Sequence, residues 1–558
     1  MIYRIDQISK LSGIALTDKI GFGKHSGKHL WEIPESYWRY MSTTGSCNAD
    51  IVICKSKEAK EAFARIPKVQ PANELPVYTA SDIEAAPFTL RPPQHREIMR
   101  FPGRNRVLIN GAIGSGKTII ALMMSHLYGY RKTLIICPRT IHSSFAEKIQ
   151  KFTGKSVIRL YGPVRDRVDM IYSTNAQFYI INPEVFSVPD KKIGKDQKYN
   201  ERMDALIQSR QELTEAIAAA RFEFAIMDEA HLYLQNHSNA TYKALRTLQK
   251  YIPAVYPMTG TVYTEGRLER AVDLLHFMNP ALFGGRAITS IYKELFELDS
   301  YYRPAAPKPG TRELISRIMA ENSMVITKEE LKLPTPVEEI VEVEMSGDWL
   351  DAYMRAWKSF EIMAGDETIE ITAKIAQITR LRQISGGSVL GTRFKNNKIQ
   401  TMLDVVSEYG TESFGVVCQY HEDIALVSDA LAKAGYKFGV ISGKITGPNR
   451  DRVIADFRAR RIQGIILQQG TGGVGIDGIQ EISRFCCQYS GSYSSSQTEQ
   501  TDGRWVRDGQ LTNAVFHRIH AVLPGGEFSQ DQLMAMAVKL KIETSEEFMK
   551  FVLVRLAA

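Results

Sequence analysis

The sequence predicts an α/β protein with two parallel β-sheets flanked by helices, and three observations lead to this prediction. The chain has 558 residues, and because a single hydrophobic core stops growing at about 250–300 residues, two or three domains are expected. In the first half, short apolar runs alternate with segments of helical periodicity, as in a buried parallel sheet. A second alternation of this kind begins near residue 398. Each alternation indicates one α/β domain.

The strand predictions rest on apolar runs of four or five residues. In the first predicted domain, residues 88–275, these runs are 106–110, 133–137, 178–181 and 224–227. In the second, residues 398–525, they are 415–419, 438–441 and 464–467. A segment of helix-forming residues, at about 197–222, is inserted before the last of these apolar runs in the first domain.

Four further segments complete the predicted organisation. Prolines gather between Pro67 and Pro93, which is typical of a linker. The predicted segments are a small N-terminal module at 1–65, a linker at 66–87, a mostly helical linking region at 276–397 and a helical tail at 526–558.

Composition narrows the class of protein. Hydrophobic residues at 44% and charged residues at 24% are ordinary globular values. No apolar run approaches the ~18–20 residues that span a bilayer, and the first residues contain no signal-peptide core. We therefore expect a cytoplasmic protein without a membrane partner, and the compact layout favours a bacterial or phage source. The six cysteines lack the paired spacing of a zinc site, and a net charge of +8 permits a polyanionic partner but is more often a solvated surface.

The strongest local motif lies between an apolar run and a helical segment. Residues Gly111 to Thr118 read GAIGSGKT, which fits the phosphate-binding pattern G-x-x-x-x-G-K-[ST]. Glycines allow backbone N–H groups to surround phosphate oxygens, and the following helix adds its positive dipole end. The predicted ATP-binding residues of this loop are Gly111, Gly114, Ser115, Gly116, Lys117 and Thr118. Lys117 is expected on the β- and γ-phosphates and Thr118 on Mg²⁺.

A second motif follows about 110 residues later, where the apolar run FAIM ends in DEAH. An acid at a strand end, Asp228, can hold Mg²⁺, and the adjacent Glu229 can orient and deprotonate the attacking water. His231 is expected to report the nucleotide state to a neighbouring motif. After a phosphate-binding loop, these four residues predict a catalytic site for ATP hydrolysis.

Further segments between residues 88 and 520 occur in a recognisable order. They are LRPPQHREIMRF, TLIICPRTIHSSFAEKIQKF, MTGT, MVITKEELKLPTPVEEIVEVEMS, ITRLRQISGG, FGVVCQYHEDIALVSDAL, ISGKITGPNRDRVIADF, GIILQQGTGGVGIDGIQ and QTDGRWVRDGQ. In these segments the chain resembles superfamily 2 helicases and translocases, and most closely the Swi/Snf-type remodelling ATPases and annealing helicases. The resemblance implies two RecA-like domains.

The resemblance also implies roles for individual residues. Gln94 corresponds to the residue that reads adenine. Gly475 and Asp477 are implied to contact the nucleotide, and the acid at 477 resembles the ribose contact of the wider superfamily rather than the Asn of the Swi/Snf branch. The residues implied to couple ATP to nucleic acid are His231, Thr259, Gly260, Thr261 and Gln500. Those implied to contact DNA are Arg139, Thr140, Ser442 and Gly443.

Two arginines stand in the last of these segments. Arg504 and Arg507 are three residues apart, so they can lie on one face of a helix, and planar guanidinium groups bind phosphate oxygens bidentately. The segment resembles an arginine-finger motif. If it belongs to the second domain, closure of the two domains would complete the site and tie hydrolysis to domain motion.

The N-terminal module contains a glycine-rich basic turn beside several aromatic residues. Residues 20–41 read IGFGKHSGKHLWEIPESYWRYM and resemble a module at the C-terminus of exodeoxyribonuclease X. Lys24 and Lys28 can bind phosphates while Trp31 stacks on bases. Alternatively, the aromatic residues form a miniature core and the lysines face water.

Taken together, these features predict an ATP- and Mg²⁺-dependent DNA translocase that tracks on double-stranded or branched DNA and remodels forks or protein–DNA complexes. One alternative is a true strand-separating helicase of superfamily 2 that acts on DNA or RNA. Another, of a different class, is an ATP-gated nucleic-acid clamp or recruitment module.

Overall fold

In the computed structural model, the chain forms two units, each built around its own β-sheet. The structure describes residues 2–3, 19–20, 33, 38, 75, 77–187, 197–260, 262, 267–365, 371–445, 448–470, 476–507, 509–510, 512–542, 548–549 and 551–552. The first unit comprises residues 1–110, 118–142 and 146–325, and the second comprises residues 111–117, 143–145 and 326–558. In the described part of the chain, no helix has both the length and the apolar character needed to cross a bilayer.

The elements up to residue 326 alternate between strands and helices. They are β1 (Ile2–Tyr3), β2 (Lys19–Ile20), α1 (Ala80–Glu84), α2 (Pro92–Met99), β3 (Leu108–Gly111), α3 (Lys117–Leu127), β4 (Thr133–Ile136), α4 (His142–Thr153), β5 (Val157–Arg159), α5 (Val164–Ser173), β6 (Phe178–Ile181), α6 (Gln197–Ala219), β7 (Phe224–Met227), α7 (Ala240–Leu248), β8 (Ala254–Thr259), α8 (Leu268–Met278), α9 (Ile288–Leu295), β9 (Phe296–Leu298), β10 (Pro304–Pro307), α10 (Thr311–Asn322) and β11 (Ser323–Ile326). Short 3₁₀ helices lie at Arg139–Ile141, Pro183–Phe186, Ala230–Leu232, Gln249–Tyr251 and Pro280–Phe283.

Seven of these strands form one sheet, in the order β11-β3-β8-β7-β4-β6-β5. From β3 to β5, each pair of neighbours is parallel. Every residue of β4, β6, β7 and β8 is buried, as expected for strands covered by helices on both faces. Burying one large apolar side chain contributes ~1.5–3 kcal/mol, so these short runs are sufficient to fix the centre of the sheet.

The elements after residue 326 repeat the pattern. They are α11 (Lys328–Leu331), β12 (Val337–Glu344), α12 (Gly347–Gly365), α13 (Ile371–Ser385), β13 (Ser388–Val389), β14 (Thr392–Arg393), α14 (Asn397–Glu408), β15 (Phe414–Cys418), α15 (His421–Lys433), β16 (Phe438–Ile441), α16 (Pro448–Arg458), β17 (Gly464–Gln468), a 3₁₀ helix at Ile479–Glu481, β18 (Phe485–Gln488), α17 (Ser495–Asp502), β19 (Val515–Val522) and α18 (Gln530–Lys539). Six strands form an all-parallel sheet in the order β12-β19-β18-β15-β17-β16.

Two parallel sheets flanked by helices confirm the predicted α/β fold with two RecA-like domains. Hydrophobic clusters surround each sheet. One contains Leu134 and Met227 of the first unit, and two others contain Val416 and Ile465 of the second. The region at 276–397, predicted to be mostly helical, contains six strands as well as helices. Most of the residues of its longest strand, β12, are exposed, and the strand pairs with β19 along its full length, so backbone hydrogen bonds rather than an apolar run define it.

Candidate nucleotide site

The carboxyl ends of three neighbouring strands bring the two strongest sequence motifs to one edge of the first sheet. β8 lies between β3 and β7 and is parallel to both. Asn110 is in register with Thr259, and Met227 with Pro257. The phosphate-binding loop follows β3, and Asp228 follows β7. Because the carboxyl ends of parallel strands meet at one edge, the loop, Thr259 and the acidic motif share that edge.

The loop after β3 has the backbone that a phosphate cradle requires. Gly114 and Gly116 have φ values of 81° and 78°, a region that residues with a Cβ rarely adopt. A Cβ at Gly111 would collide with the Ser115 hydroxyl. The Lys117 ammonium donates to the carbonyl of Gly111 at 2.8 Å and therefore lies across the loop that it follows. Thr118 is the second residue of α3.

Asp228 and Glu229 are held by backbone contacts at the end of β7. The Asp228 N–H donates to the carbonyl of Ile136 at 2.9 Å, and its carboxylate accepts the N–H of Glu229 at 2.9 Å. Glu229 has φ 49° and ψ 43°, a left-handed conformation that costs energy in a non-glycine residue. The chain therefore turns at Glu229 and leaves the strand immediately after Asp228.

Tyr233 fixes this turn and was not identified from the sequence. Its hydroxyl is 3.0 Å from the carbonyls of both Ile136 and Asp228. Burial raises the pKa of Tyr233 far above its ordinary value, so the hydroxyl keeps its proton and remains a donor. A tyrosine five residues after the acid is too weak a pattern to have predicted this contact.

His231 joins the acidic motif to β8. Its Nδ1 is 3.0 Å from the hydroxyl of Thr259, which is fully buried at the end of that strand, and 3.5 Å from a carboxylate oxygen of Glu229. The imidazole ring of His231 therefore links Glu229 to Thr259, so a movement of Glu229 would alter the contact of His231 with Thr259. Gly260 follows directly, whereas Thr261 lies outside the described residues.

Gln94 lies in the first turn of α2. Its side chain is buried, and its amide oxygen accepts the N–H of Arg91 at 2.9 Å. The amide therefore stabilises the start of its own helix. Two prolines precede Gln94, at the first two positions of the helix, where a missing N–H costs nothing.

In the second unit, the two arginines lie just after α17. Arg504 is buried and donates to the carbonyl of Ile476 at 3.1 Å. The guanidinium of Arg507 is ion-paired with the carboxylate of Asp477, and its N–H donates to the side chain of Gln510 at 2.9 Å. The ion pair with Asp477 therefore fixes the position of the Arg507 guanidinium. Gln500 lies within α17 itself.

The remaining predicted residues fall into two groups. Ser442 and Gly443 follow β16, where the N–H of Gly443 donates to the side chain of Gln468 at 3.0 Å. Arg139 and Thr140 form the 3₁₀ helix after β4. The predicted residues that lie outside the described part of the chain are Lys24, Lys28, Trp31 and Gly475.

Comparison with known proteins adds the family to this geometry. The family model of the SNF2-related domain matches residues 36–388, and that of the helicase conserved C-terminal domain matches residues 396–509. A solved structure of the SWI2/SNF2 ATPase core of Sulfolobus solfataricus in complex with dsDNA is 16% identical, with 88% of this chain and 95% of that chain covered and a TM-score of 0.35. No curated protein matches the chain. Since the first family model covers more than half of the 558 residues, and both models describe nucleic-acid-dependent ATPases, the chain belongs to the SNF2-related domain family.

Proposed function

We propose that this protein is an ATP-driven motor that tracks along double-stranded or branched DNA and remodels forks or protein–DNA complexes. The observation that carries the proposal is the shared edge of β3, β8 and β7, where a phosphate-binding loop, Thr259 and an acidic motif come together in a chain of the SNF2-related domain family. Duplex DNA is proposed as the track because the order of the motifs resembles that of the Swi/Snf branch.

The residues at this edge fit ATP and Mg²⁺. Inward-turning N–H groups of a glycine-rich loop and the ammonium of Lys117 suit the phosphates. The hydroxyl of Thr118 and the carboxylate of Asp228 are oxygen ligands, which Mg²⁺ prefers. When bound, the ion would neutralise charge on the phosphate oxygens.

Glu229 would orient and deprotonate the attacking water. Its left-handed backbone and the turn fixed by Tyr233 restrict where the carboxylate can lie. The contact of His231 with Glu229 and Thr259 gives hydrolysis a route to the strand end at β8. We infer that Arg504 and Arg507 act on the phosphate oxygens when the two domains close, and that Asp477 presents Arg507 for this purpose.

A second candidate, strand separation, is favoured by the hairpin of β9 and β10. The side chains of Tyr301 and Tyr302 at its tip are 75% and 77% exposed. The turn is held by Asp299, whose carboxylate accepts the N–H groups of Tyr301 and Arg303 at 2.8 and 2.9 Å. Exposed aromatic rings on a hydrogen-bonded turn are suited to stack on bases where strands part.

The test compares duplex, single-stranded and forked DNA with RNA in a phosphate-release assay, together with displacement of a labelled strand from the fork. Duplex and forked DNA are expected to stimulate hydrolysis most. Lys117→Ala should lose nearly all turnover because it lacks the cation on the β- and γ-phosphates. Glu229→Gln should bind ATP and stall.

The outcomes separate the candidates. ATP binding without phosphate release in any arm would indicate a clamp rather than a motor, and preferred stimulation by RNA would contradict the DNA track. Displacement of the strand from the fork would favour strand separation. Turnover retained by Lys117→Ala would show that the phosphate site lies elsewhere.

A further inference from the structure

Four arginines converge near the carboxyl edge of the first sheet, beyond the strands that carry the nucleotide motifs. There the sheet order is β4-β6-β5, and all three strands are parallel. Arg139 follows β4 and is exposed, and Arg159 is the last residue of β5. The other two, Arg167 and Arg210, come from helices α5 and α6, which pack against each other. We call Arg139, Arg159, Arg167 and Arg210 the arginine cluster.

Arg167 is the buried member of the arginine cluster, with only 8% of its surface exposed. Its guanidinium donates to the carbonyl of Gly162 at 2.9 Å and to the side-chain oxygen of Asn182 at 2.8 Å. Both acceptors are neutral. The amide nitrogen of Asn182 in turn donates to Glu184 at 2.8 Å. The structure thus fixes the orientation of Arg167 without neutralising its charge.

Arg210 lies on α6, a helix of 23 residues that corresponds to the helix-forming segment predicted at about 197–222. Its side chain is half-buried, and its Nε is enclosed without a hydrogen-bond partner among the described residues. In that part of the chain, none of Arg139, Arg167 and Arg210 lies within ion-pair distance of a carboxylate. A half-buried arginine without a counter-charge is costly unless an anion supplies it.

The electrostatics agree with this geometry. Burial lowers the pKa of Arg167, and the charges of Arg210 and Arg139 lower it further, while Glu184 opposes them. His142, packed beside the cluster, has a pKa lowered to about 4, mainly by burial and in part by Arg167, Arg159 and Arg139. The imidazole is therefore neutral at physiological pH. Arg167 is therefore repelled by Arg210 and Arg139, and among the described residues Glu184 opposes that repulsion.

We propose that the arginine cluster binds backbone phosphates of the nucleic acid, with Arg210 as a contact that the sequence motifs do not include and the buried Arg167 adding its positive charge to the site. Planar guanidinium groups bind phosphate oxygens bidentately, and a phosphodiester chain presents one anion after another to several such groups. In this proposal, α6 serves to place Arg210 beside the other arginines of the cluster, near the carboxyl edge of the first sheet. The proposal rests on the proposed function in one respect, namely that the anion belongs to DNA.

The test measures DNA affinity of the full chain across a salt series by fluorescence anisotropy. Arg210→Ala should weaken duplex binding at least about tenfold, as expected for the loss of a charged hydrogen bond. The slope of log affinity against log salt should fall by about 0.9, the value of one phosphate contact. Arg210→Lys should retain the slope because it retains the charge.

The matched control is Arg221→Ala. Arg221 is exposed and lies three residues before β7, at the opposite edge of the sheet, so its loss removes one positive charge away from the cluster. This variant should bind like the wild type. Equal affinities and slopes for wild type and Arg210→Ala would overturn the proposal. So would a loss confined to thermal stabilisation by inorganic phosphate, because that result would assign the cluster to a free anion.

This result is independent of the test of the motor. Duplex binding that falls in Arg210→Ala supports the cluster even if DNA fails to stimulate hydrolysis. Conversely, if DNA stimulates the ATPase but Arg210→Ala binds DNA like the wild type, the proposed motor function stands and the proposed role of the arginine cluster is wrong.

Discussion

At the scale of the residue, Arg507 shows how one ion pair can order a long side chain. Its guanidinium is held by Asp477, while its backbone N–H is held by Gln510. A long side chain loses rotamer freedom when it is ordered, at a cost of up to about 2 kcal/mol. An arginine already ordered by its neighbours loses less of this freedom when it meets a phosphate.

We expect Arg507→Ala to leave ATP affinity nearly unchanged and to slow hydrolysis by ~10³–10⁵, because arginine fingers act on the charge of the transition state. The measurements are nucleotide binding by fluorescence and single-turnover hydrolysis with saturating DNA. Arg507→Lys serves as the control that keeps the charge but loses the planar fork, and it should recover little of the rate. Equal losses in binding and in turnover would make Arg507 a structural residue.

The residues of the candidate nucleotide site differ in how far the sequence could predict their positions. Lys117, Asp228 and Glu229 occur in short motifs whose chemistry depends on residues next to one another. Tyr233, by contrast, acts through the carbonyl of Ile136, 97 residues away in sequence. Its role depends on β4 and β7 being neighbours, and no local pattern expresses that pairing. A residue's place at the candidate site can be predicted where the motif is local, and not where two strands build the contact.

At the scale of the element, the same distinction separates the strands. The run FAIM was predicted as a strand and is β7, because it is apolar at every position. β8 was not predicted, although it lies in the interior of the sheet, between β3 and β7. It contains Pro257, which lacks an N–H and argues against a central strand. β12 was missed for the opposite reason, since it is an edge strand with mostly exposed side chains. Pairing with neighbours, rather than composition, makes both of them strands.

The first turn of helix α15 contains Asp423, whose carboxyl group is buried within the second unit. Asp423 accepts the N–H of Tyr420 at 3.3 Å and the hydroxyl of Ser490 at 2.5 Å. Burial raises its pKa to about 6, although the two hydrogen bonds and the charge of Lys398 act in the opposite direction, while Asp531 adds to the rise. Lys398 is itself buried in an ion pair with Asp531, so its charge is shared between the two carboxylates.

Because the pKa of Asp423 is raised, the free energy of unfolding is expected to fall as the pH rises. The folded protein binds the proton of Asp423 more tightly than the unfolded chain, whose aspartate has the ordinary value of 3.8. The stabilisation from the protonated form is therefore complete below about pH 4 and is lost as the pH rises through about 6, by an amount on the order of 3 kcal/mol. Asp423→Asn cannot ionise, so its stability relative to the wild type should increase between pH 4.5 and 7.

The measurement is the unfolding midpoint of both proteins across that range. Asp429→Asn is the matched control, because Asp429 lies on the same helix and is exposed. It should follow the wild type at every pH. If the curves of Asp423→Asn and the wild type run parallel, Asp423 does not titrate in this window.

At the scale of the whole molecule, each of the two units has its own parallel sheet and its own hydrophobic clusters. The two family matches, at residues 36–388 and 396–509, divide the chain near the start of α14. The first match begins within the predicted N-terminal module. Trp38 lies in this overlap and is fully buried, so it is not available to stack on bases. This observation favours a core role for Trp38.

The glycine-rich turn of the N-terminal module contains Lys24 and Lys28, which lie outside the described residues. Deleting residues 1–65 would also remove Trp38, so point variants give a cleaner test. If Lys24 and Lys28 bind phosphates, Lys24→Ala/Lys28→Ala should weaken duplex binding and lower the salt slope by about 0.9 for each phosphate that is no longer neutralised. Trp31→Ala should weaken binding to forks more than to duplex, by about 1–3 kcal/mol if one base stacks on the ring.

Anisotropy with duplex and forked oligonucleotides across a salt series measures both effects in the full chain. Lys57→Ala/Lys60→Ala removes the same charge from the same module, outside the glycine-rich turn, and should leave the slope closer to that of the wild type. Hydrolysis without DNA should be equal in all variants, because none of these residues belongs to the nucleotide motifs. If both double variants lower the slope equally, the turn has no specific contact with phosphate and the module contributes only its general positive charge. If neither double variant changes the salt slope, the lysines of the module do not contact DNA phosphates, and the phosphate contacts must lie in the two units that carry the nucleotide motifs.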